Sequence, residues 1–219
     1  MNNEICIIWD WNGTLIDDVG ISLECINLLL KKNHLPTITR DYYQEVFTFP
    51  VKDYYQKLGF DFDQTSFSKL ADLFIHEYKK RMFNTKLYSK AKDVLEYLQQ
   101  KGAKQFVISA MEVGKLKQAI KNQGISHFFE EILGLNNNFA SGKMDLVKEF
   151  ANNRKEMLNL SNVWMIGDTE HDFQIASELK WNSILVSQGH HSFSRLSAVS
   201  DNVVRNLDGV REIFSSKKG

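Results

Sequence analysis

Five side chains able to do acid, base or nucleophilic chemistry stand at or near the ends of short apolar runs. Asp10 follows the first run, Ser109 ends the second, and Asp168 and Asp172 follow the fourth. Lys143 lies between them at the predicted start of a helix. Such runs are typical of strands in a parallel sheet, and open α/β sheets bind ligands at the carboxyl ends of their strands. We therefore expect the five side chains to converge on one edge of a sheet.

The chemistry of this group follows from its residue types. Several carboxylates without cysteine or paired histidine are the ligands that Mg²⁺ prefers. Transfer of a phosphoryl group to a carboxylate also needs positive charge and hydrogen-bond donors around the moving group. Lys143, the Ser109 hydroxyl and the backbone amides of residues 11–14 can supply them. The residue types therefore fit Mg²⁺-assisted phosphoryl transfer to a carboxylate.

Hydrophobic periodicity predicts the elements that position these side chains. Short continuous apolar runs indicate strands buried on both faces. These runs are residues 5–9, 105–109, 131–133, 163–166 and 183–186. Helical spacing of apolar residues separates them, over residues 91–100, 115–122 and 144–150. Strands that alternate with helices predict an α/β fold with a doubly wound parallel sheet.

The region after the first strand breaks this alternation. Its apolar residues follow helical spacing over residues 19–30, 41–47, 51–58 and 67–82. We therefore predict a core made of residues 1–16 and 89–219, with an all-helical cap, residues 17–88, inserted after the first strand.

Composition narrows the class of protein and of ligand. The chain has 219 residues, enough for a sizeable core, and 27 basic residues balance 27 acidic ones. Zero net charge favours a small-molecule ligand over nucleic acid or a membrane surface. Cys6 and Cys25 lie in apolar patterns that suit buried thiols, and the first residues do not resemble a signal peptide. We expect a cytoplasmic protein; its oligomeric state does not follow from the sequence.

Four short motifs, taken in chain order, resemble those of the haloacid dehalogenase superfamily. They are Asp10-Trp11-Asn12-Gly13-Thr14, Val107-Ile108-Ser109, Lys143 and Gly167-Asp168-Thr169-Glu170-His171-Asp172. The helical insertion between the first two motifs resembles the mobile cap of the superfamily's phosphoglycolate-phosphatase-like branch. The resemblance implies a Rossmann-like core, a cap that closes over substrate, and hydrolysis of a small phosphorylated metabolite.

The resemblance also implies a role for each motif residue. Asp10 would be the nucleophile that forms an aspartyl phosphate, Ser109 and Lys143 would hold the phosphate, and Thr14 would steady the loop. The other implied phosphate contacts come from Trp11, Gly13 and Ala110. The implied Mg²⁺ ligands are Asp10, the backbone carbonyl of Asn12, Asp168 and, directly or through water, Asp172.

Asn12 departs from the family pattern. Phosphatases of this family normally carry Asp there, as the acid that protonates the leaving group and then activates water. Asn can do neither, and such proton transfer typically contributes ~10²–10⁴-fold. Since the implied metal contact at this position uses the backbone, binding of Mg²⁺ and phosphate should survive. We therefore expect leaving groups that depart as stable anions, such as aryl or acyl phosphates, to be preferred over alkyl phosphates.

Other functions stay open at this point. Asn12 also fits a catalytically impaired protein that binds phosphate, or an enzyme whose aspartyl phosphate is long-lived. Deamidation of the Asn12-Gly13 pair would convert Asn12 to Asp or isoaspartate. Hydrolysis of a carbon–phosphorus bond, as in phosphonoacetaldehyde hydrolases, would need a cap lysine that forms a Schiff base, for which Lys52 is the candidate.

Cap residues and histidines have weaker signals. The break at residues 47–52 is expected to reach over the site, with Lys52, Arg40 or Arg81 available to a second anionic group of the substrate. The two tyrosine pairs, Tyr42-Tyr43 and Tyr54-Tyr55, are each expected to point one ring inward and one outward. Four further polar residues are expected to have structural roles: Glu170 and His171, which should face away from the site, and the loop residues His190 and His191.

Overall fold

A computed structural model of the protein describes residues 4–136, 142–159 and 161–216. The ends of the predicted core ranges, residues 1–3 and 217–219, lie outside these. Among the described residues, parallel strands form one sheet. They are β1 (Glu4–Trp9), β2 (Lys104–Glu112), β3 (Glu131–Leu135), β4 (Ser161–Gly167), β5 (Asn182–Val186) and β6 (Val203–Val204).

The strand order, β3-β2-β1-β4-β5-β6, places β1 in the middle of the sheet. From β1 the chain builds outward on one side through β2 and β3, then crosses to the other side of β1 and continues through β4 to β6. The carboxyl ends of β1 and β4 therefore flank the point where the order reverses, which is the usual ligand position in such sheets. The predicted doubly wound α/β fold is confirmed.

Helices cover both faces of this sheet. They are α5 (Ala91–Gln100), α6 (Val113–Asn122), α7 (Lys143–Asn153), α8 (Lys155–Asn159), α9 (Glu170–Glu178), α10 (Phe193–Ser197) and α11 (Leu207–Ser216), with a 3₁₀ turn at Ser126–Phe128. Successive residues of β1 point to opposite faces, so Ile7 packs in one apolar cluster and Ile8 in the other. Because both faces are covered, the strand reads as a continuous apolar run.

Four helices lie between β1 and α5, in the segment predicted to form the cap, and we refer to this segment as the cap. They are α1 (Val19–Lys32), α2 (Arg40–Val46), α3 (Val51–Lys57) and α4 (Phe67–Lys79), followed by a 3₁₀ turn at Met82–Asn84. Their buried side chains, among them Ile26, Leu30, Tyr43, Tyr54 and Leu70, form a separate apolar cluster. The insertion therefore has its own hydrophobic core.

Two chain segments, lying side by side, connect the cap to the sheet. Asp17 N donates to Lys86 O at 2.9 Å, and Tyr88 N donates to Leu15 O at 2.9 Å. The inserted segment therefore begins and ends at neighbouring points of the fold.

The structure corrects several predicted elements. Strand β6 was not predicted, because a two-residue strand carries no periodic signal. Strand β2 continues past Ser109 to Glu112 with a shift in register, and the predicted helix over 67–82 already ends at Lys79. Among the described residues, no helix combines the length and hydropathy needed to span a bilayer.

Candidate active site

Three buried carboxylates meet at the carboxyl end of the sheet. Asp10 follows β1, Asp168 follows β4, and Asp172 lies in the first turn of α9. One oxygen atom from each lies within 4.8 Å of the others. Strand ends on both sides of the reversal point thus bring together residues that lie about 160 positions apart in the chain.

Lys143 places its ammonium group between two of these carboxylates. It is the first residue of α7, it is buried, and it donates hydrogen bonds to Asp10 Oδ1 and, at 2.6 Å, to Asp172 Oδ1. Burial disfavours the charged form of Lys143, but the two carboxylates outweigh it and raise the pKa of Lys143. The ammonium group therefore stays charged at the centre of the site.

One ammonium group does not balance three carboxylates. Burial raises the pKa of Asp10 to about 6, against the opposing effect of Lys143. The pKa of Asp168 is raised to about 8 by burial, with repulsion from Asp10 and Asp172 adding to it. Buried carboxylates whose ionised forms repel one another fit a hard divalent cation such as Mg²⁺, which would relieve that repulsion. The residues that could hold it are Asp10, Asp168 and Asp172, with the backbone carbonyl of Asn12.

Asp168 is held in place by the loop after β1 and the loop after β5. Thr14 Oγ1 donates to Asp168 Oδ1 at 2.9 Å, and His190 N donates to Asp168 Oδ2 at 2.6 Å. A Cβ atom at Gly13 would lie 2.2 Å from Asp168 Oδ2, and Gly13 has a φ of +72°. Glycine is therefore required at this position by both the close approach and the left-handed backbone.

The Asn12 side chain turns toward the cap. Its Nδ2 donates to Asp18 Oδ2 and to the Tyr78 hydroxyl, both at 2.7 Å. On the other side, Ser109 Oγ lies 3.5 Å from Asn12 Oδ1. Asn12 thereby joins the strand-end loop to a residue of cap helix α4.

Sequence reasoning missed Asp18, which is 1% exposed. Besides Asn12, it accepts hydrogen bonds from Gly13 N at 2.8 Å and from the Tyr78 hydroxyl at 2.7 Å. Burial favours the neutral acid, but His190 and these donors outweigh it and lower the pKa of Asp18. The Asp17-Asp18 pair, which begins three residues after the end of the first motif, was the available signal, since one of two adjacent carboxylates can face inward.

His190 was also missed, because the loop interpretation gave it no partner. It is buried, its Nδ1 lies 2.8 Å from the Tyr43 hydroxyl, and its Nε2 lies 3.5 Å from Asp18 Oδ1. Burial disfavours the imidazolium, but Asp18 outweighs it and raises the pKa of His190 to about 9. His191 behaves differently: its Nδ1 accepts from Glu170 N, and burial, with Arg195 nearby, lowers its pKa to about 3.

The expectation for Glu170 and His171 was half right. Glu170 faces away from the site and pairs with Arg195 at 2.6 Å. His171 lines the cleft between cap and core, and its ring centroid lies 5.3 Å from that of Phe49. Periodicity could not show this contact, because Phe49 belongs to the cap.

The cleft has a volume of about 310 Å³ and two different walls. The core wall carries polar groups, including Asp10, Ser109, Lys143 and Asp172, together with Ala110. The cap wall carries mainly aromatic rings: Tyr43, Phe47, Phe49, Tyr54, Phe74 and Tyr78. The segment at residues 47–52 reaches the cleft, as expected, through Phe47, Phe49 and Val51.

The second tyrosine pair was predicted wrongly. Tyr42 is exposed and Tyr43 buried, as expected, but Tyr54 and Tyr55 are both buried. Helix α3 has ring partners on two sides: Tyr54 contacts Phe47, whereas Tyr55 contacts other rings of the cap core. Trp11 is likewise a core residue, and only its backbone N–H is directed at Asp10.

None of the three cap cations suggested by the sequence lines the cleft. Lys52 is exposed, with its Nζ 5.6 Å from the centroid of the Phe62 ring. Arg40 donates to Gln188 O and Arg81 pairs with Glu77. The cleft is instead lined by Lys79 of the cap and Lys115 of the core, and contact with Lys79 lowers the pKa of Lys115. The positions of these cations depend on helix ends and helix packing, which the sequence pattern did not resolve.

Comparison with known proteins identifies the family to which the chain belongs. A family model for haloacid dehalogenase-like hydrolases matches residues 7–186. A search of curated protein sequences finds no match. The matched residues include the first motif, the cap, Lys143 and both aspartates after β4.

Solved structures share the fold at low sequence identity. A haloacid dehalogenase-like hydrolase family protein from Streptococcus pneumoniae is 20% identical, with a TM-score of 0.80 over 98% of this chain and 100% of that one. A predicted phosphatase from Clostridium acetobutylicum is 22% identical, with a TM-score of 0.79 over 98% and 100%. A predicted phosphoglycolate phosphatase from Haemophilus somnus is 18% identical, with a TM-score of 0.75 over 98% and 99%. At these identities the likeness shows the fold alone.

Proposed function

Since the chain belongs to the haloacid dehalogenase-like hydrolase family, we propose that it is a Mg²⁺-dependent phosphatase of a small phosphorylated metabolite, with Asp10 as nucleophile. The observation that carries the proposal is the contact of buried Lys143 with Asp10 and Asp172 beside Asp168. A buried ammonium group can hold a phosphate next to a carboxylate, and the oxygen cluster suits Mg²⁺.

The first step forms an aspartyl phosphate. An Asp10 oxygen attacks phosphorus, and the bond between phosphorus and the leaving oxygen breaks with its electron pair going to that oxygen. Lys143, the Ser109 hydroxyl and the backbone amides near Gly13 bind the phosphate oxygens. Asp10, Asp168, the backbone carbonyl of Asn12 and, directly or through water, Asp172 would hold Mg²⁺, which when bound would screen the repulsion between carboxylate and phosphate.

The second step releases the phosphate. A water oxygen attacks phosphorus, and the bond to Asp10 breaks with its electron pair returning to the carboxylate. Both water hydrogens leave with the phosphate as the dihydrogen phosphate ion. The balance of this step requires no protein base, so Asn12 at the usual acid position slows the cycle without stopping it.

Two observations favour an aryl leaving group. Asn12 cannot donate a proton to a departing oxygen, and a phenol-type oxygen, with a pKa of about 10, departs more readily as an anion than an alcohol does. The cap wall also presents rings such as Phe49 and Tyr78, which pack well against a flat apolar group. Acyl phosphates meet the first condition but not the second.

The test is phosphate release with Mg²⁺ from a panel of aryl, acyl and alkyl phosphates. Wild type and Asp10→Asn are compared at matched purity, with intact mass showing that Asn12 is unmodified. We expect aryl phosphates to be hydrolysed faster than alkyl phosphates of similar size, and Asp10→Asn to be inactive. Equal rates on the two classes would contradict the leaving-group argument, and activity in Asp10→Asn would contradict the nucleophile.

Asn12 also favours a second candidate, a catalytically impaired protein that binds phosphate and Mg²⁺. It predicts that inorganic phosphate raises the melting temperature while no phosphate ester is hydrolysed. Lys52, the lysine suggested for carbon–phosphorus hydrolysis, lies over Phe62 outside the cleft, so that alternative would depend on the cap lysine that does line the cleft, Lys79. The same panel therefore separates the two candidates.

A further inference from the structure

Asp18 is a buried carboxylate for which the proposed reaction has no role. Its two oxygens accept hydrogen bonds from Asn12 Nδ2, the Tyr78 hydroxyl and Gly13 N, at 2.7 to 2.8 Å. An ionised carboxylate has acceptors and no donor, so each of these three neighbours must present a hydrogen to it. The arrangement therefore determines which end of the Asn12 amide faces Asp18.

The amide of Asn12 has one donor end and one acceptor end. Since its Nδ2 is directed at Asp18 and Tyr78, its Oδ1 must turn the other way, toward Ser109 at 3.5 Å and the core wall. Without Asp18, a rotation of 180° about the last side-chain bond would exchange the two ends at little cost, because they have nearly the same shape. Asp18 therefore makes one orientation of the Asn12 amide lower in free energy than the other.

We propose that Asp18 is a positioning residue, which fixes the Asn12 amide with Oδ1 toward the phosphate so that it accepts a hydrogen bond from the water that hydrolyses the aspartyl phosphate. This inference rests on the proposed function. An acceptor that orients water without taking its proton is sufficient here, since both water hydrogens leave with the phosphate. An amide plays this part in some other phosphoryl-transfer enzymes.

Asn12 and Asp18 are then a matched pair, and the usual family residue does not fit beside Asp18. Asn12→Asp alone would put two carboxylates in contact at 2.7 Å in a buried site, where like charges repel strongly. Asp18→Asn alone would keep an oxygen on Gly13 N and turn its own NH₂ group toward Asn12, so that the Asn12 amide would have to flip to present Oδ1 to it. The exchange of both, Asn12→Asp with Asp18→Asn, restores one donor facing one acceptor.

A double-mutant cycle on an aryl phosphate tests this pairing. We expect each single substitution to lower kcat by ~10-fold to ~100-fold, as for a misplaced group beside the reacting atoms, with KM changed less than about twofold. The kcat of the double variant should be at least about tenfold higher than that of the less active single variant. Asp17→Asn, which changes the adjacent and exposed carboxylate, is the matched control and should behave like wild type.

The phosphoenzyme distinguishes a positioning role from a merely structural one. In Asp18→Asn, rapid quenching and intact mass should show aspartyl phosphate forming at the wild-type rate and decaying more slowly. Thermal unfolding of each variant shows that it is folded. Unchanged decay in Asp18→Asn, or a gain of activity from Asn12→Asp alone, would overturn this inference while leaving the phosphatase in place. Absence of both phosphoenzyme and phosphate release in wild type would overturn the proposed function as well.

Discussion

The core wall and the cap wall of the cleft are built from opposite kinds of side chain. On the core wall, Lys143 touches Asp10 and Asp172, and the three are at most 7% exposed. On the cap wall, rings such as Phe47 and Phe49 pack edge to face. Charge-assisted hydrogen bonds between buried groups are strong and require a defined distance and angle, whereas aromatic rings can pack against many flat apolar groups. The comparison supports the proposal that the sheet side carries the reaction chemistry and the cap side selects the substrate.

Substitution of the proposed nucleophile, Asp10, should give the largest effect of any change on the core wall. We predict that Asp10→Asn lowers phosphate release by at least ~10³-fold, because no other group can form the covalent intermediate. Its melting temperature should not fall, since the substitution removes one of three crowded carboxylates. Phosphate-release kinetics and thermal unfolding check the two parts. A loss below tenfold would show that chemistry does not depend on this residue.

The next largest effect concerns the cation. Mg²⁺ should raise the melting temperature of wild type, and chelation should abolish activity until Mg²⁺ is restored. Asp168→Asn should raise the Mg²⁺ concentration needed for half of either effect by at least ~10-fold, because one carboxylate ligand is lost. Titration of the melting temperature with Mg²⁺ measures this without any substrate. The same midpoint in both proteins would remove Asp168 from the ion site.

A smaller effect is expected on the cap wall. Phe49→Ala should lower kcat/KM for an aryl phosphate by ~10-fold, mostly through KM, and should change acetyl phosphate hydrolysis less than about twofold. Phe83→Ala is the matched control, because Phe83 is as exposed as Phe49, 44% against 42%, but does not line the cleft. Equal losses on both substrates would mean that the rings do not select the leaving group.

The smallest effect compares two tyrosines of the cap. The Tyr43 hydroxyl lies 2.8 Å from His190 Nδ1, whereas the buried Tyr54 hydroxyl has no hydrogen-bond partner among the described residues. Tyr43→Phe should therefore lower the free energy of unfolding by about 1 kcal/mol, and Tyr54→Phe should change it by less than about 0.5 kcal/mol. Urea denaturation of the two variants measures the difference. A larger loss of unfolding free energy in Tyr54→Phe than in Tyr43→Phe would contradict this prediction.

The two walls also differ in how far the sequence predicted them. The polar residues of the core wall follow strands, and the carboxyl ends of neighbouring parallel strands share one edge. Asp10, Lys143, Asp168 and Asp172 could therefore be predicted to converge. No such rule applies to the cap residues. Lys52 has the residue type for a substrate contact, but helix packing places it over Phe62.

The sequence by itself determined which chemical group follows which element: an acid after β1, a cation at the start of α7 and two acids after β4. Hydrophobic periodicity and strand-end position are local properties, and they suffice for that. Only the tertiary structure decided that Asp18 and Tyr78, 60 residues apart, meet at Asn12. Which donor faces which acceptor depends on the docking of the cap, because a hydrogen bond is set within a few tenths of an ångström. The orientation of Asn12 is therefore a property of the folded chain.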